Sequence, residues 1–415
     1  MGASSFGRKC AVVAHRASGT YPDAHLRDLR GPGAGVPSAD ADLTLALRRT
    51  LHDVLRSVLG PGRACVLLDF PNHTNVGDSL IWMGERALLD RYGIRVIYTA
   101  DRRTFSTTAL RRLPRAVPIL FHGGGNLGDL WPAHEAFREA VIAAFPDRPM
   151  VILPHTVTFV HRAAVERAGA ILRRHPHLTV LVRDTESLQI ARHELGVRAI
   201  LCPDPAFALD ALPGVADPPA RRRAGRVLLL LRRDHEAAPT TGQHPTAVDW
   251  VTLTGRDWVP LGRHVARIVL ADVRVRWAHR VAATAPVPLS AVSARLAAYD
   301  ALAAWQVRRG VRLIADSEVV VTDRLHGHIL AMLLGRPHVL LDDRYGKLRR
   351  FFRTWTHPSP LVHWARTVDE AIDFAAALAQ SRSAATAMRP AAPPAHAGDR
   401  RDDARGPRPW WPRAG

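Results

Sequence analysis

The sequence predicts an α/β fold of two domains whose parallel sheets face each other across a cleft. Short apolar runs alternate with helix-period patterns through the middle of the chain, as expected when parallel strands are covered by helices on both faces. A chain of 415 residues with 47% hydrophobic content is also too large for one ordinary core. Two α/β halves of similar size would leave a cleft between them, and ligands of such sheets bind beyond the carboxyl ends of the strands.

Eight short apolar runs are the clearest candidates for strands. They span residues 65–69, 117–121, 150–153, 179–182, 227–231, 311–314, 318–321 and 338–341. A stretch rich in Pro, Gly and Ala with an arginine cluster, residues 212–225, interrupts the alternation. The predicted domains are therefore 41–215 and 225–379, and the two ends, 1–40 and 380–415, are predicted to be disordered.

Cysteine usage and hydropathy exclude several classes of protein. The three cysteines, Cys10, Cys65 and Cys202, are far apart and show no zinc-ligand spacing, so neither a disulfide framework nor a metal site is expected. The apolar runs fall far short of the roughly 20 residues of a membrane span. The apolar stretch after Lys9 breaks at His15, well short of a secretion signal. We therefore expect a cytoplasmic protein.

The formal charge of +19 would ordinarily suggest nucleic acid or another anionic partner. Nearly all the basic residues are arginines, and Lys9 and Lys347 are the only lysines, which favours codon bias over a dedicated basic face. We therefore expect no nucleic acid partner, whereas anionic small substrates remain compatible with the charge.

The loop after the first predicted strand, from Pro71 to Asp78, is the first candidate site. Asn75 offers an amide group, and Gly77 allows a close backbone approach by a ligand or a neighbouring strand. Asp78 is interpreted as the cap of the helix that follows. An ordinary turn with a helix cap explains this segment equally well.

A second strand leads into three consecutive glycines, Gly123, Gly124 and Gly125, followed by Asn126 and later Asp129. Three glycines cost conformational entropy, which favours a concave site whose N–H groups face an anion or a sugar. The spacing matches neither the dinucleotide fingerprint nor a nucleotide P-loop, so nicotinamide and ATP chemistry are disfavoured. A flexible turn without a ligand is the alternative.

Arginines follow two further strands. Arg183 comes directly after the strand at 179–182, where a guanidinium could meet a carboxylate or phosphate, although a surface pair with Asp184 is the alternative. Arg232 and Arg233 follow the strand at 227–231, and Arg233 is taken as the one that binds substrate. The turn around Asp204, flanked by two prolines, is interpreted as mainly architectural.

The richest segment runs from Thr322 to Gly335, where a strand passes into an apolar helix. Thr322 or Asp323 can cap this helix, so Arg324 and His326 fall within its first turn, at the positive end of its dipole. The dipole and Arg324 both favour a bound anion, which in turn favours a protonated His326 able to act as a general acid. A capping or packed histidine is the alternative for His326.

In order and spacing, these segments together resemble the polysaccharide pyruvyl transferase family over roughly residues 63–375. The matching pieces are the runs at 72–78, 121–129, 153–156, 203–205, 322–327 and 341–347, with Arg183, Asp184 and Ser187. The resemblance implies two Rossmann-like domains in a glycosyltransferase-B-like arrangement. It also implies phosphoenolpyruvate as co-substrate, no further cofactor, and a saccharide acceptor that is often linked to a lipid.

The implied reaction transfers the pyruvyl group to a sugar and closes it to a cyclic ketal, in exopolysaccharide or cell-wall polysaccharide synthesis. We expect His326 to protonate the methylene carbon while Arg324 and the helix N-terminus stabilise the phosphate. The substrate-binding candidates are Arg183, Asn75, Asp78, Gly123, Gly124, Gly125, Asn126, Asp129 and Arg233. No metal constellation is visible, and peripheral association with the inner face of a membrane is compatible with a lipid-linked acceptor.

Two other functions fit the same predicted fold. One is a glycosyltransferase that uses a nucleotide sugar, although no carboxylate can be placed convincingly for the nucleotide ribose. The other is a catalytically silent assembly protein that retains the cleft and uses its basic charge to bind anionic polymers or lipids. Loss of function on replacing Arg324 or His326 in a folded protein would argue against the silent protein.

Overall fold

The computed structural model describes residues 39–60, 64–213, 225–239, 244–282 and 284–387. These residues form a mixed α/β structure with eleven α-helices and eleven strands. The helices are α1 (Ala39–Leu59), α2 (Val76–Arg91), α3 (Thr107–Arg111), α4 (Pro132–Ala144), α5 (Arg162–Leu172), α6 (Thr185–Gln189), α7 (Trp258–Val281), α8 (Leu289–Ala315), α9 (Leu325–Leu333), α10 (Lys347–Phe351) and α11 (Val368–Ala387).

The strands form two parallel sheets. The first contains β1 (Ala64–Leu68), β2 (Arg95–Ala100), β3 (Ile119–Phe121), β4 (Gly124–Leu127), β5 (Met150–Val157), β6 (Leu178–Val182) and β7 (Ala199–Leu201), in the order β2-β1-β3-β5-β6-β7 with β4 beside β5. The second contains β8 (Val227–Leu230), β9 (Val319–Thr322), β10 (His338–Leu340) and β11 (Val362–Trp364), in the order β11-β10-β9-β8. All the strand pairs are parallel, so the predicted α/β class is confirmed.

Most of the predicted strands form, because continuous apolar runs suit strands that are buried on both faces. Val66, Leu67 and Leu68 of β1 are fully buried, as are Val319, Val320 and Val321 of β9. The prediction at 311–314 is wrong, because this run is the last turn of α8. Val307, Val311 and Ile314 are buried there at helical spacing. The strands β2, β4, β7 and β11 were not predicted.

The predicted domain boundary at 212–225 falls between the two sheets, but the helices that follow β8 pack against the first sheet's side of the molecule. The indole of Trp82 on α2 donates a hydrogen bond to Asp300 on α8 at 2.8 Å. The rings of Phe70 and Tyr299 stack with 3.9 Å between centroids. One hydrophobic cluster includes residues of both sheets, among them Leu181 of β6 and Leu340 of β10.

The predicted disordered ends fall mostly outside the described residues. At the C-terminal end α11 continues to Ala387, so the boundary placed at 380 was too early. At the N-terminal end α1 begins at Ala39, and Asp40 is buried and hydrogen-bonded to Ser359. The first helix is therefore tied to the second half of the chain.

Gly84 of α2 allows the turn after β7 to lie directly against the helix, which gives a stability prediction. A Cβ at this position would lie 2.0 Å from the carbonyl oxygen of Pro205, a backbone atom that cannot rotate away. Gly84→Ala is therefore expected to destabilise the protein by about 1–3 kcal/mol or more in urea unfolding.

Gly262 on the exposed side of α7 is the matched control, because nothing lies within 4 Å of the position that a Cβ would take. Gly262→Ala should raise the free energy of unfolding by about 0.5–1 kcal/mol, since alanine loses less backbone entropy in a helix. Equal effects of the two substitutions would contradict the close packing of α2 against Pro205.

Candidate active site

Loops at the carboxyl ends of strands from both sheets enclose a cavity of about 460 Å³. The first sheet contributes the loop after β1, the glycine loop after β3 and the residue after β6. The second sheet contributes the residues after β8, β9 and β10. The sequence analysis predicted ligand binding at this same edge, beyond the carboxyl ends of the strands.

The carboxylate of Asp204 joins the two halves at the centre of this site. Arg183 after β6 donates to Asp204 Oδ2 at 2.7 Å, and His326 Nε2 lies 3.3 Å from the same oxygen. Burial alone would raise the pKa of Asp204, but His326, Arg183 and the N–H of Ala206 hold it well below its ordinary value. Asp204 is therefore an ionised, fully buried partner of both groups, a role that the sequence analysis missed.

His326 lies in the first turn of α9, as predicted. Arg324 is the residue before the helix, and the hydroxyl of Thr322 accepts a hydrogen bond from the Arg324 N–H at 3.0 Å. A Cβ on Gly77 would lie only 2.6 Å from His326 Nδ1, so only glycine fits beside the ring. Gly77 thus serves the close approach of α2 to His326.

Arg324 is buried beneath the cavity among carboxylates. Its Nη2 donates to Asp249 at 2.6 Å and to Asp234 at 3.3 Å. Its Nε is buried and has no hydrogen-bond partner within the described part of the chain. A buried guanidinium N–H without a partner is costly, so the Nε of Arg324 is available to donate a hydrogen bond to an oxygen of a bound anion.

A second cationic group lies beside Arg324. Arg232 donates to Asp234 at 2.9 Å and pairs with Glu236 at 2.9 Å. Lys347 donates to Glu236 at 3.0 Å and to the carbonyl of Gly125 in the glycine loop at 2.9 Å. Burial alone would lower the pKa of Arg232, but Glu236 and Asp234 more than offset that effect and raise it. The site therefore holds a network of alternating charges.

Of the two arginines after β8, the structure brings Arg232 to the cavity and leaves the predicted Arg233 outside its lining. The side chain of Arg233 is exposed and donates to the carbonyl of Ala247 at 2.7 Å, whereas Arg232 lines the cavity. The side chains of consecutive residues in extended chain point to opposite sides, and the sequence did not show which side faced the cavity.

The glycine loop contributes fewer contacts than predicted. Gly125 and Asn126 line the cavity. Gly123 does not, and its N–H donates a hydrogen bond to Glu85 at 2.7 Å. Gly124 has a φ of +144° and forms part of β4, also outside the cavity lining. Asp129 accepts from the N–H groups of Val160 and His161 at 2.8 Å, so it orders the start of α5 and lies outside the cavity lining.

Asn75 and Asp78 do line the cavity. Asn75, not Asp78 as predicted, caps α2, because its side chain accepts from the N–H of Gly77 at 3.1 Å. The amide of Asn75 also donates to Asp78 Oδ2 at 2.8 Å. Burial alone would raise the pKa of Asp78, but the nearby His73 and His326 lower it, so Asp78 offers an ionised carboxylate to the cavity.

A histidine and aspartate pair on the first sheet's side was not predicted. His134 lines the cavity, and its Nδ1 lies 3.0 Å from both carboxylate oxygens of Asp69. Asp69 has a φ of +68°, the left-handed region that non-glycine residues rarely occupy. The sequence could have indicated Asp69, because it lies at the end of a strand. No local pattern shows that His134 on α4 approaches Asp69, since the two residues are 65 positions apart.

The structure therefore brings seven of the predicted residues to one cavity, namely Asn75, Asp78, Gly125, Asn126, Arg183, Arg324 and His326. Five lining side chains, Arg102, Arg183, Arg232, Arg324 and Lys347, are cationic, and four, Asp78, Asp234, Glu236 and Asp343, carry carboxyl groups. Such a site can hold a small polyanion beside a histidine. In the described residues, no group of three or more His, Cys, Asp or Glu side chains is arranged to hold a metal ion.

A match to a known protein family identifies the family of this chain. The family model for polysaccharide pyruvyl transferase matches residues 75–344, the span from the cap of α2 to the loop after β10. The chain belongs to the polysaccharide pyruvyl transferase family. The matched span contains every cavity residue predicted from the sequence.

Named relatives agree with this membership. Pyruvyl transferase 1 of Schizosaccharomyces pombe is 30% identical over 351 residues, which cover 80% of each chain. EpsO of Bacillus subtilis, also named as a pyruvyl transferase, is 29% identical over 76% of this chain and 92% of its own. The family supports a transferase that moves a pyruvyl group to a polysaccharide.

A solved structure supports the fold alone. A functionally uncharacterized protein from Klebsiella pneumoniae is 17% identical, with a TM-score of 0.50 over 77% of this chain and 99% of its own. Among the described helices, none has both the length and the apolar character that crossing a membrane requires.

Asp204 gives the most direct prediction from this geometry. Asp204→Asn is expected to destabilise the protein by about 3–5 kcal/mol at neutral pH, because it leaves Arg183 buried without its charged partner. Since the folded pKa of Asp204 lies below its unfolded value, this difference should shrink as the pH falls below the ordinary range of an aspartate. Urea unfolding of both proteins across acidic and neutral pH measures it.

Asp210→Asn is the matched control. Asp210 also pairs with two arginines, Arg48 at 2.7 Å and Arg91 at 2.6 Å, but its side chain is 58% exposed. Its loss should cost less than about 1 kcal/mol. An Asp204→Asn effect no larger than that of Asp210→Asn would show that Asp204 does not hold the site together.

Proposed function

We propose that the protein transfers the pyruvyl group of phosphoenolpyruvate to a saccharide and closes it to a cyclic ketal. The observation that carries this proposal is the constellation in which Arg183 and His326 share Asp204, beside the partly unsatisfied Arg324. The donor carries a carboxylate and a phosphate on adjacent positions. Arg183 and Arg324 offer one cationic group for each, and His326, which shares Asp204 with Arg183, is the proton donor.

The phosphate is assigned to the side of the cavity formed by Arg324, Arg232 and Lys347. All three are already paired with carboxylates, so the entering phosphate would share them with Asp234 and Glu236. The first-turn N–H groups of α9 add positive potential at the same place. Arg183, on the opposite half, is assigned to the donor carboxylate, for which guanidinium geometry is suited.

The chemistry begins as a hydroxyl oxygen of the sugar attacks the carbon that bears the phosphate, while His326 gives a proton to the methylene carbon, which becomes a methyl group. The C–O bond to phosphate then breaks, with charge stabilised by Arg324 and Arg232. A second hydroxyl of the sugar attacks the same carbon and closes the ketal. The two hydroxyl protons balance the one gained by the methyl carbon and the one carried by released phosphate. No cofactor besides phosphoenolpyruvate is needed.

The acceptor is assigned to the first sheet's side of the cavity. Trp131 is 36% exposed at the cavity lining, where its indole offers an apolar face to a sugar ring and its Nε1 donates to Glu236 at 2.8 Å. Asp78 and Asn126 provide polar groups for sugar hydroxyls. His134, oriented by Asp69, is placed to accept the proton of the attacking hydroxyl.

The two parallel sheets, with strand ends facing one cavity, support the interpretation as two Rossmann-like domains in a glycosyltransferase-B-like arrangement. The same architecture suits a glycosyltransferase that uses a nucleotide sugar, which is the alternative function. The smaller donor is favoured because Arg324, Arg232 and Lys347 are linked through Asp234 and Glu236, where a single phosphate can reach them, with Arg183 left for a nearby carboxylate. The cytoplasmic location remains a prediction.

The test is incubation of the purified protein with phosphoenolpyruvate and a panel of lipid-linked or synthetic glycosides, followed by mass spectrometry. A product that gains a pyruvylidene group, with release of inorganic phosphate, is expected. Reaction of UDP- or GDP-sugars in place of phosphoenolpyruvate would overturn the proposal.

The neighbouring arginines after β8 give a matched pair of variants. Arg232→Gln should lower kcat/KM for phosphoenolpyruvate by about 10²–10³-fold, and His326→Gln should lower kcat to a similar extent. Arg233→Gln should leave both within a few-fold of wild type, because this side chain faces away from the cavity. Equal losses for Arg232→Gln and Arg233→Gln would exclude the assigned phosphate site.

A further inference from the structure

The outer face of α7 carries most of the large apolar residues that are exposed in the described part of the chain. Of the fourteen large apolar residues that are exposed, eight lie on α7 and a ninth, Leu289, is the first residue of α8. They are Trp258, Val259, Val265, Val269, Leu270, Val273, Trp277, Val281 and Leu289. Leu270 and Trp277 are 61% and 66% exposed.

Five of the exposed apolar residues of α7 form one stripe along the helix, and Trp258, Val265 and Val269 lie to one side of it. At 100° per residue, Val259, Leu270, Val273, Trp277 and Val281 lie within about a quarter of the circumference. The opposite side, with His264, Ile268, Ala271 and Val275, is buried against the rest of the protein. The helix therefore has two apolar faces, of which only one is covered.

Arginines flank the uncovered stripe. Arg263, Arg267, Arg274, Arg276 and Arg280 are all exposed. The one carboxylate in the helix, Asp272, is buried and pairs with Arg295 at 2.7 Å. The outward face of α7 thus combines exposed apolar and aromatic side chains with five positive charges and contributes no negative charge.

We propose that the outer face of α7 docks the protein on an anionic lipid surface, with the helix lying parallel to the membrane. Apolar residues and tryptophans flanked by arginines are the composition of helices that lie in the bilayer interface. The long arginine side chains can reach lipid phosphates while their apolar stems lie along the stripe. A second copy of the chain fits less well, because a two-fold contact would bring the arginines of both helices together.

The segment that leads into α7 lines the cavity, so docking through α7 would bring the cavity near the membrane. Trp250 and Val251 line the cavity, and α7 begins only seven residues later at Trp258. The carbonyls of Trp250 and Thr252 accept from Arg309 at 3.3 and 3.2 Å, which ties this segment to α8. A membrane-bound α7 would hold the cavity close to the surface where a lipid-linked acceptor resides, a consequence that rests on the proposed function.

Vesicle sedimentation tests the docking without any use of catalysis. The full-length protein should bind vesicles of mixed phosphatidylcholine and phosphatidylglycerol and should bind pure phosphatidylcholine vesicles at least about tenfold more weakly. Added salt should weaken binding to the anionic vesicles. The variant Arg274→Gln/Arg276→Gln/Arg280→Gln should bind them about 100-fold more weakly, and Leu270→Ser/Trp277→Ser at least about tenfold more weakly.

Leu45→Ser/Val160→Ser is the control, because it removes two exposed apolar residues from other faces and should leave vesicle binding unchanged. Urea unfolding of each variant shows whether it is folded. Unchanged vesicle binding by folded α7 variants would overturn the proposal. If those variants instead turn a dimer into a monomer in sedimentation velocity, α7 binds a second copy. Failure of the pyruvyl transfer assay leaves these readouts unaffected, so the two proposals fail separately.

Discussion

The site depends on one buried carboxylate. Asp204 is fully buried and accepts contacts from Arg183 of the first sheet and His326 of the second. A buried ion is stable only where opposite charges and hydrogen bonds compensate for lost hydration. The geometry of both partners is therefore fixed by the same group, and the two halves cannot separate at this point without leaving a charge unpaired. The shared hydrophobic core and the close contact of Gly77 with His326 act in the same direction.

Other cations of the cavity are also held by carboxylates. Arg324, Arg232 and Lys347 are held by Asp249, Asp234 and Glu236, so the positive charge of each is balanced by a neighbouring carboxylate. Such pairing keeps the guanidinium groups in place before a substrate arrives, and preorganised charge is the main source of transition-state stabilisation in many enzymes. The pairing also restricts the donor, because a ligand must carry enough negative charge to compete for cations that already contact carboxylates.

Much of this architecture could be predicted from the sequence, but the contacts between halves could not. Apolar runs predicted most strands, and the junction of a strand with a helix placed His326 correctly in the first turn of α9. Arg324, also expected in that turn, instead directly precedes the helix as its N-cap, so the helix begins later than predicted. Local patterns do not show which of two adjacent arginines faces a cavity, so Arg233 was chosen and Arg232 lines it. Asp204 and His134 act through partners far away in the chain, and their roles appear only once the chain is folded.

The solvent origin of the new methyl hydrogen tests the central claim most directly, namely that His326, held by Asp204, delivers a proton to the methylene carbon during pyruvyl transfer. The reaction with phosphoenolpyruvate and a glycoside acceptor is carried out in D₂O, and the product is analysed by mass spectrometry and NMR. Proton delivery from an exchangeable group predicts a ketal whose methyl group carries one deuterium. A pyruvylated product whose methyl group contains no deuterium would contradict the account.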